Sequence, residues 1–165
     1  MIVVVMGVSG SGKTTLGRRL AARLGCEFVD ADDHHPAANV AKMAAGIPLE
    51  DADRMPWLDT LNALLRGRQP GDAVLACSAL KQSYRDRLCA GIDDVRLVYL
   101  AGSIDQIRAR LRARQHRYMP ASLLESQFAT LEPPQDAITV DVSQPLDACI
   151  DGLLAACGRP AQSRA

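Results

Sequence analysis

The chain has 165 residues, enough for one domain with a core that needs neither disulfides nor metals. Lys and Arg total 19 and Asp and Glu total 19, so the formal net charge is zero, without the basic excess usual in nucleic-acid binders. No apolar stretch approaches the roughly 20 residues of a membrane span, no secretory signal pattern opens the chain, and five cysteines without a C-x-x-C pair read as reduced thiols of a cytoplasmic protein.

Ile2–Met6 is a short apolar run and the first predicted strand. Directly after it, residues 7–14 read G-V-S-G-S-G-K-T, a full match to G-x-x-x-x-G-K-[ST]. Directly after that comes the predicted helix Lys13–Leu24, so the motif sits in the strand–turn–helix context it requires. Gly7, Gly10 and Gly12 let the backbone bend so that its N–H groups point at phosphate oxygens, and Val8, Ser9 and Ser11 are counted with the same site. The start of the helix, with Thr15, adds the positive end of its dipole. Lys13 can reach terminal phosphates, and the Thr14 hydroxyl can ligate Mg²⁺. These residues predict a nucleoside triphosphate site.

The second predicted strand, Glu27–Asp30, runs into D-A-D-D-H-H-P at Asp30–Pro36. A carboxylate there can hold a metal-bound water or accept a proton from a substrate hydroxyl. If the chain stays extended, Asp30 and Asp32 point the same way and Asp33 points away to cap the next helix. A solvated turn with a helix cap is the competing reading. His34 and His35 lack a third ligand at helical spacing, so hydrogen bonds to a polyol suit them better than a metal.

Helices are predicted over Pro36–Ala45 and Pro56–Arg68, with Asp51, Asp53 and Pro56 as start signals for the second. Arg54 among them is either a surface residue or a fork for a carboxylate, and both readings stay open. Trp57, the one tryptophan, reads as core or pocket wall. The third strand, Ala73–Cys77, leads into Ser78-Ala79-Leu80-Lys81, where a Ser and a Lys at a strand-to-helix turn suit an anion. Cys77 reads as packing, and the absence of an Asp at this strand end argues against motor-type ATPases.

Helix Gln82–Ala90, strand Val95–Leu100 and helix Ile104–Arg114 follow. Arginines crowd positions 108 to 117, a pattern that fits either a solvated face or a lid whose guanidinium groups, Arg114 and Arg117 among them, meet phosphate. Helix Ala121–Thr130, strand Ile138–Val142 and helix Leu146–Cys157 complete the order, and Gln144 and Pro145 between the last two are counted with the nucleotide site. The alternation predicts an α/β fold: a parallel five-stranded sheet, helices on both faces, one domain over residues 1–158, and a tail over 159–165 that frays.

Taken together, these motifs resemble the small P-loop gluconate kinases, relatives of shikimate kinase. The resemblance runs from Val3 to Leu154 and rests on the phosphate loop, D-A-D-D-H-H-P, G-I-P-L-E-D-A-D-R at Gly46–Arg54 and P-W-L at Pro56–Leu58. It continues through C-S-A-L-K at Cys77–Lys81 and S-Q-F-A-T-L-E-P at Ser126–Pro133. One departure is visible: Arg117 stands where members often carry His before the aromatic residue of the lid. The resemblance implies a P-loop kinase fold with a helical lid, and gluconokinase activity in gluconate utilization. It implies ATP and Mg²⁺ as cofactors, D-gluconate as substrate, no nucleic-acid or membrane partner, and a cytoplasmic homodimer. It also implies that Asp32 takes the hydroxyl proton, that Asp30 supports Mg²⁺ through water, and that Arg54, Ser78, Lys81, Arg85, His34 and His35 address gluconate. Another small-molecule kinase of this fold, for shikimate or a nucleotide, is the nearest alternative. A nucleotide-dependent switch is more distant, since the chain lacks the N-K-x-D motif of guanine-specific proteins.

Overall fold

The computed structural model describes residues 1–113 and 121–158. Five strands form one sheet: β1 (Ile2–Met6), β2 (Glu27–Asp30), β3 (Ala73–Ala76), β4 (Val95–Ala101) and β5 (Ile138–Asp141). All neighbours pair in parallel, in the order β2-β3-β1-β4-β5. The helices are α1 (Lys13–Leu24), α2 (Ala37–Ala44), α3 (Asp51–Arg66), α4 (Gln82–Cys89), α5 (Ile104–Ala113), α6 (Ala121–Thr130) and α7 (Leu146–Ala156). The predicted α/β architecture is present.

β1 explains how the layers form. Every residue of Ile-Val-Val-Val-Met is buried. Successive strand side chains alternate faces, so Val3 and Val5 join Leu16 and Leu20 of α1, Ile107 of α5, and Ile150 and Leu153 of α7. Ile2, Val4 and Met6 join Trp57, Leu58 and Leu61 of α3 and Leu88 of α4 on the other side. Each fully buried aliphatic side chain contributes roughly 1.5–3 kcal/mol, so a strand covered on both faces anchors two cores at once. Gly17 brings α1 close to the sheet: a Cβ there would stand 2.7 Å from the Phe28 ring.

Two expectations need correction. The chain after β2 is not extended; Ala31–His34 form a single 3₁₀ turn. Asp30 caps it, its Oδ1 accepting the Asp32 N–H at 3.2 Å, and Asp33 does not cap α2, whose N-cap position is Pro36. Second, α3 begins at Asp51, so Pro56 lies inside it rather than at its first turn. The Asp53 carboxylate accepts the Glu50 N–H at 2.9 Å and grips Lys42 at 2.8 Å, and this starts the helix earlier than the proline suggests. Among the described residues no helix is long and apolar enough to cross a membrane. None of the five cysteines, all among the described residues, forms a disulfide.

Candidate active site

In open parallel sheets, ligands gather beyond the carboxyl ends of the strands, where the connections diverge to opposite sides. Here that place lies beyond β1 and β3. The residues just after them touch: the Gly7 N–H donates to the Ser78 carbonyl at 3.3 Å. The loop after β1 then curls over the start of α1. Gly12, at the N-cap of α1, has φ 104°, a left-handed conformation that a side chain resists. Lys13 is half-buried, and its Nζ donates to the Val8 carbonyl at 3.1 Å. Burial lowers the Lys13 pKa, while the charges of Asp32 and Asp30 oppose the shift. Both acids thus lie near enough to the loop lysine to act on its charge, although the turn that carries them is not the extended one expected. Thr14 Oγ1 donates to Asp30 Oδ2 at 3.0 Å.

The residues fit a nucleotide on an independent ground. Ser11 Oγ is buried in the loop without a hydrogen-bond partner. Buried hydroxyls are normally satisfied, and a phosphate oxygen would supply the missing acceptor. Beside the loop opens a cavity of about 320 Å³, lined by Ser11, Gly12, Thr15, Arg110, Val140 and Gln144. Pro145 takes the N-cap position of α7 next to it. Arg110 closes one wall, donating to the Ser11 carbonyl at 3.1 Å and to the Val142 carbonyl. A hydroxyl and a carboxylate are the hard oxygen donors that suit Mg²⁺, so Thr14 and Asp30 fit that ion.

In the acidic turn, Asp32 is widely open, with its side chain 78% exposed. His35 Nε2 lies 4.0 Å from Asp32 Oδ1, and the ring stacks on Trp57 with centroids 4.2 Å apart. Burial lowers the His35 pKa, Asp32 opposes the shift and Arg54 adds to it. Trp57 donates from Nε1 to the Ala31 carbonyl at 2.9 Å, tying α3 to the acidic turn. His34 is half-buried and acts on Glu27, whose carboxyl is held low chiefly by its hydrogen bond to Arg68. Among the described residues, no three His, Cys, Asp or Glu side chains gather as a metal cluster.

Arg54, Lys81 and Tyr84 form one cluster with Asp51. Lys81 Nζ lies 3.0 Å from both Asp51 oxygens, and the Tyr84 hydroxyl donates to the same carboxylate. The Tyr84 bond first, and the Lys81 bond next, hold the Asp51 carboxyl below the usual range. Arg54 donates to the Leu49 carbonyl and sits over the Tyr84 ring at 5.7 Å. Asp51 and Tyr84 were absent from the expected site; both lay within its motifs, but their pairing depends on the fold.

Arg85 corrects an expectation. Instead of addressing a ligand it is 4% exposed, and its guanidinium donates to the carbonyls of Ala79, Leu80 and Glu132 at 2.9, 3.1 and 3.0 Å. Ala79 has φ 44°, so the arginine clamps a loop with a strained residue in it. Cys77 is buried, and burial pushes its thiol up to about 12, which makes it inert packing. Arg114 and Arg117, and the tail over 159–165, lie outside the described residues.

Comparison with known proteins places this geometry. A family model described as an AAA domain matches residues 2–134. The chain is 48% identical over 167 residues to a probable gluconokinase of Mus musculus, covering 88% of this chain and 91% of that protein. It is 50% identical over 136 residues to a gluconokinase of Gluconobacter oxydans (strain 621H), covering 81% and 76%. The crystal structure of a gluconokinase from Sinorhizobium meliloti 1021 superposes with a TM-score of 0.86 at 41% identity, covering 97% of this chain and 93% of that one. With its phosphate loop, the acidic turn after β2 and the loop after β3 arranged on this sheet, the chain belongs to the gluconokinase family of P-loop kinases.

Proposed function

We propose that the protein transfers the terminal phosphoryl group of ATP to a hydroxyl of D-gluconate, giving 6-phospho-D-gluconate and ADP. One observation carries the reading: Thr14 of the phosphate loop donates from Oγ1 to Asp30 Oδ2 at 3.0 Å, so the acidic turn and the phosphate loop lie together. Lys13 offsets the charge on the phosphoryl oxygens as transfer proceeds. Asp32, open to solvent, accepts the proton of the attacking hydroxyl. Thr14 and Asp30 would hold Mg²⁺, directly or through water, and that ion would supply charge neutralisation at the phosphates. Gly7, Val8, Ser9, Gly10, Ser11, Gly12 and Thr15 bind the phosphates or flank them, with Gln144 and Pro145 beside the base.

Gluconate carries a carboxylate and a row of hydroxyls. Arg54 and Lys81 offer cations for the first; Ser78, His34 and His35 offer hydrogen bonds to the second. Arg114 and Arg117 are proposed to meet the phosphates. A cytoplasmic homodimer completes the reading.

The test is a coupled assay of ADP release with gluconate, shikimate and glucose as acceptors. Turnover with gluconate alone supports the reading. Glucose lacks the carboxylate and would leave a cation unpaired, so turnover of glucose equal to that of gluconate refutes it. Lys13→Ala is expected to lose roughly 10²–10³-fold in rate, the usual effect of removing one such electrostatic contact.

A further inference from the structure

Gln127 stands on α6, outside every group assigned above to phosphate, metal or acceptor. Its carboxamide meets the phosphate loop at two points. The Ser9 N–H donates to Gln127 Oε1 at 2.7 Å, and Gln127 Nε2 donates to Ser9 Oγ at 3.0 Å. A backbone N–H can only donate, so the carboxamide oxygen must face it and the amide nitrogen must face the hydroxyl. The Ser9 hydroxyl keeps its own proton free to donate.

A few residues on, the same stretch of chain grips the loop after β3 that carries Ser78 and Lys81, the proposed acceptor loop. The Glu132 N–H donates to the Leu80 carbonyl at 2.9 Å, and its carboxylate accepts the Gln82 N–H at 2.6 Å. Arg85 holds the Glu132 carbonyl at 3.0 Å. Residues 127 to 132 are therefore pinned to the nucleotide loop at one end and to the acceptor loop at the other.

A glycine-rich loop carries few side chains that could hold its shape, and its ordering costs more entropy than that of other residues. Binding is tighter when that ordering is done beforehand. We propose that Gln127 is a positioning residue for the nucleotide: its carboxamide holds Ser9 so that the phosphate loop keeps the shape that receives a triphosphate. The inference rests on the loop being the ATP site, and it does not depend on gluconate being the acceptor. In the opposite role the carboxamide oxygen would occupy an anion's place and have to leave before phosphate binds. The two roles differ in sign.

The experiment is calorimetric titration of a non-hydrolysable ATP analogue with Mg²⁺ into the wild-type chain and into Gln127→Met, Gln127→Ala and Ser9→Ala variants. Gln127→Met keeps the length and the helix preference and removes both hydrogen bonds. Its Kd for the analogue is expected to rise about tenfold, as does that of Gln127→Ala, in line with the loss of two hydrogen bonds. Ser9→Ala keeps the bond to the backbone N–H and is expected to rise by a smaller factor. The KM for gluconate should change less than the nucleotide Kd. An unchanged Kd, or tighter binding, in a Gln127→Met protein that melts normally overturns the proposal. So does an equal rise of nucleotide Kd and gluconate KM, which would mark a merely structural role. If Gln127→Met does not fold, an unchanged Kd in Ser9→Ala overturns it. A wild-type chain that binds the analogue but does not phosphorylate gluconate refutes the proposed acceptor and leaves this inference standing; one that binds no nucleotide refutes both.

Discussion

The Thr14 hydroxyl and the Asp30 carboxylate meet at 3.0 Å although β3 lies between the strands that deliver them. β1 hands Thr14 to the start of α1, and β2 ends at Asp30. The contact reaches across the sheet's carboxyl edge and sets two hard oxygen donors side by side.

Thr14→Val should therefore raise the Mg²⁺ concentration needed for half-maximal rate, and Asp30→Asn should do the same. Thr14→Ser keeps the hydroxyl and should stay close to wild type. Titration of the rate with Mg²⁺ reads this directly. A Thr14→Val enzyme with unchanged Mg²⁺ dependence would remove the pair from the metal site.

Asp32 has no capping duty, because Asp30 accepts the N–H of the turn. Asp32→Asn should then leave folding untouched and lower kcat by about 10²–10⁴-fold, the usual range for a general base. KM for gluconate should move far less. Steady-state kinetics of the variant separates the roles, and a loss below about tenfold would take the base assignment away from Asp32.

Arg85→Lys should weaken the protein before it weakens substrate binding. An ammonium cannot span the three carbonyls that the guanidinium fork holds. The expected cost is about 2–4 kcal/mol, the range for breaking a buried polar network. Urea denaturation measures it. A variant of normal stability with a raised KM for gluconate would instead return Arg85 to the substrate site.

His35 gives a pH dependence of defined sign. Burial lowers its folded-state pKa below the ordinary 6.5, against the pull of Asp32 and with the push of Arg54. On acidification the unfolded chain takes this proton first. The stabilisation is present above pH 6.5 and is lost as pH falls from there toward the folded-state pKa. The carboxylates of Asp51, Asp53 and Asp59, also lowered, contribute in the same direction but only near and below 3.8. Denaturation curves followed by circular dichroism between pH 7.5 and 5 should show a decline in wild type that His35→Gln flattens. Parallel declines in both proteins would assign the loss elsewhere.

The strands other than β2 were legible as short, nearly continuous apolar runs, and the phosphate loop because its residues are contiguous. The 3₁₀ turn after β2 was not, since four residues held by one aspartate cap show no periodicity. The start of α3 was misplaced because Pro56 looks like a first-turn residue, while the signal that prevailed, Asp53 holding both Glu50 and Lys42, needs Lys42 from a separate helix. Lys81 and Asp51 are 30 positions apart, and Gln127 and Ser9 are 118 apart, so neither pairing leaves a local pattern. Arg85 misled for the reverse reason: its charge suggests an outward ligand group, and only the fold, which brings in the Glu132 carbonyl from 47 positions away, reveals a buried clamp.

The stack of His35 on Trp57 has an optical consequence. The chain has one tryptophan, so all indole emission comes from a ring 4.2 Å from that imidazole and bonded to the backbone of the acidic turn. A protonated imidazole quenches indole fluorescence far more strongly than a neutral one. The native emission is thus a built-in gauge of the surroundings of His35 and the acidic turn, where the acceptor is proposed to bind. It should brighten or dim as an acceptor displaces water around Asp32, and it needs no label that would disturb the nucleotide loop.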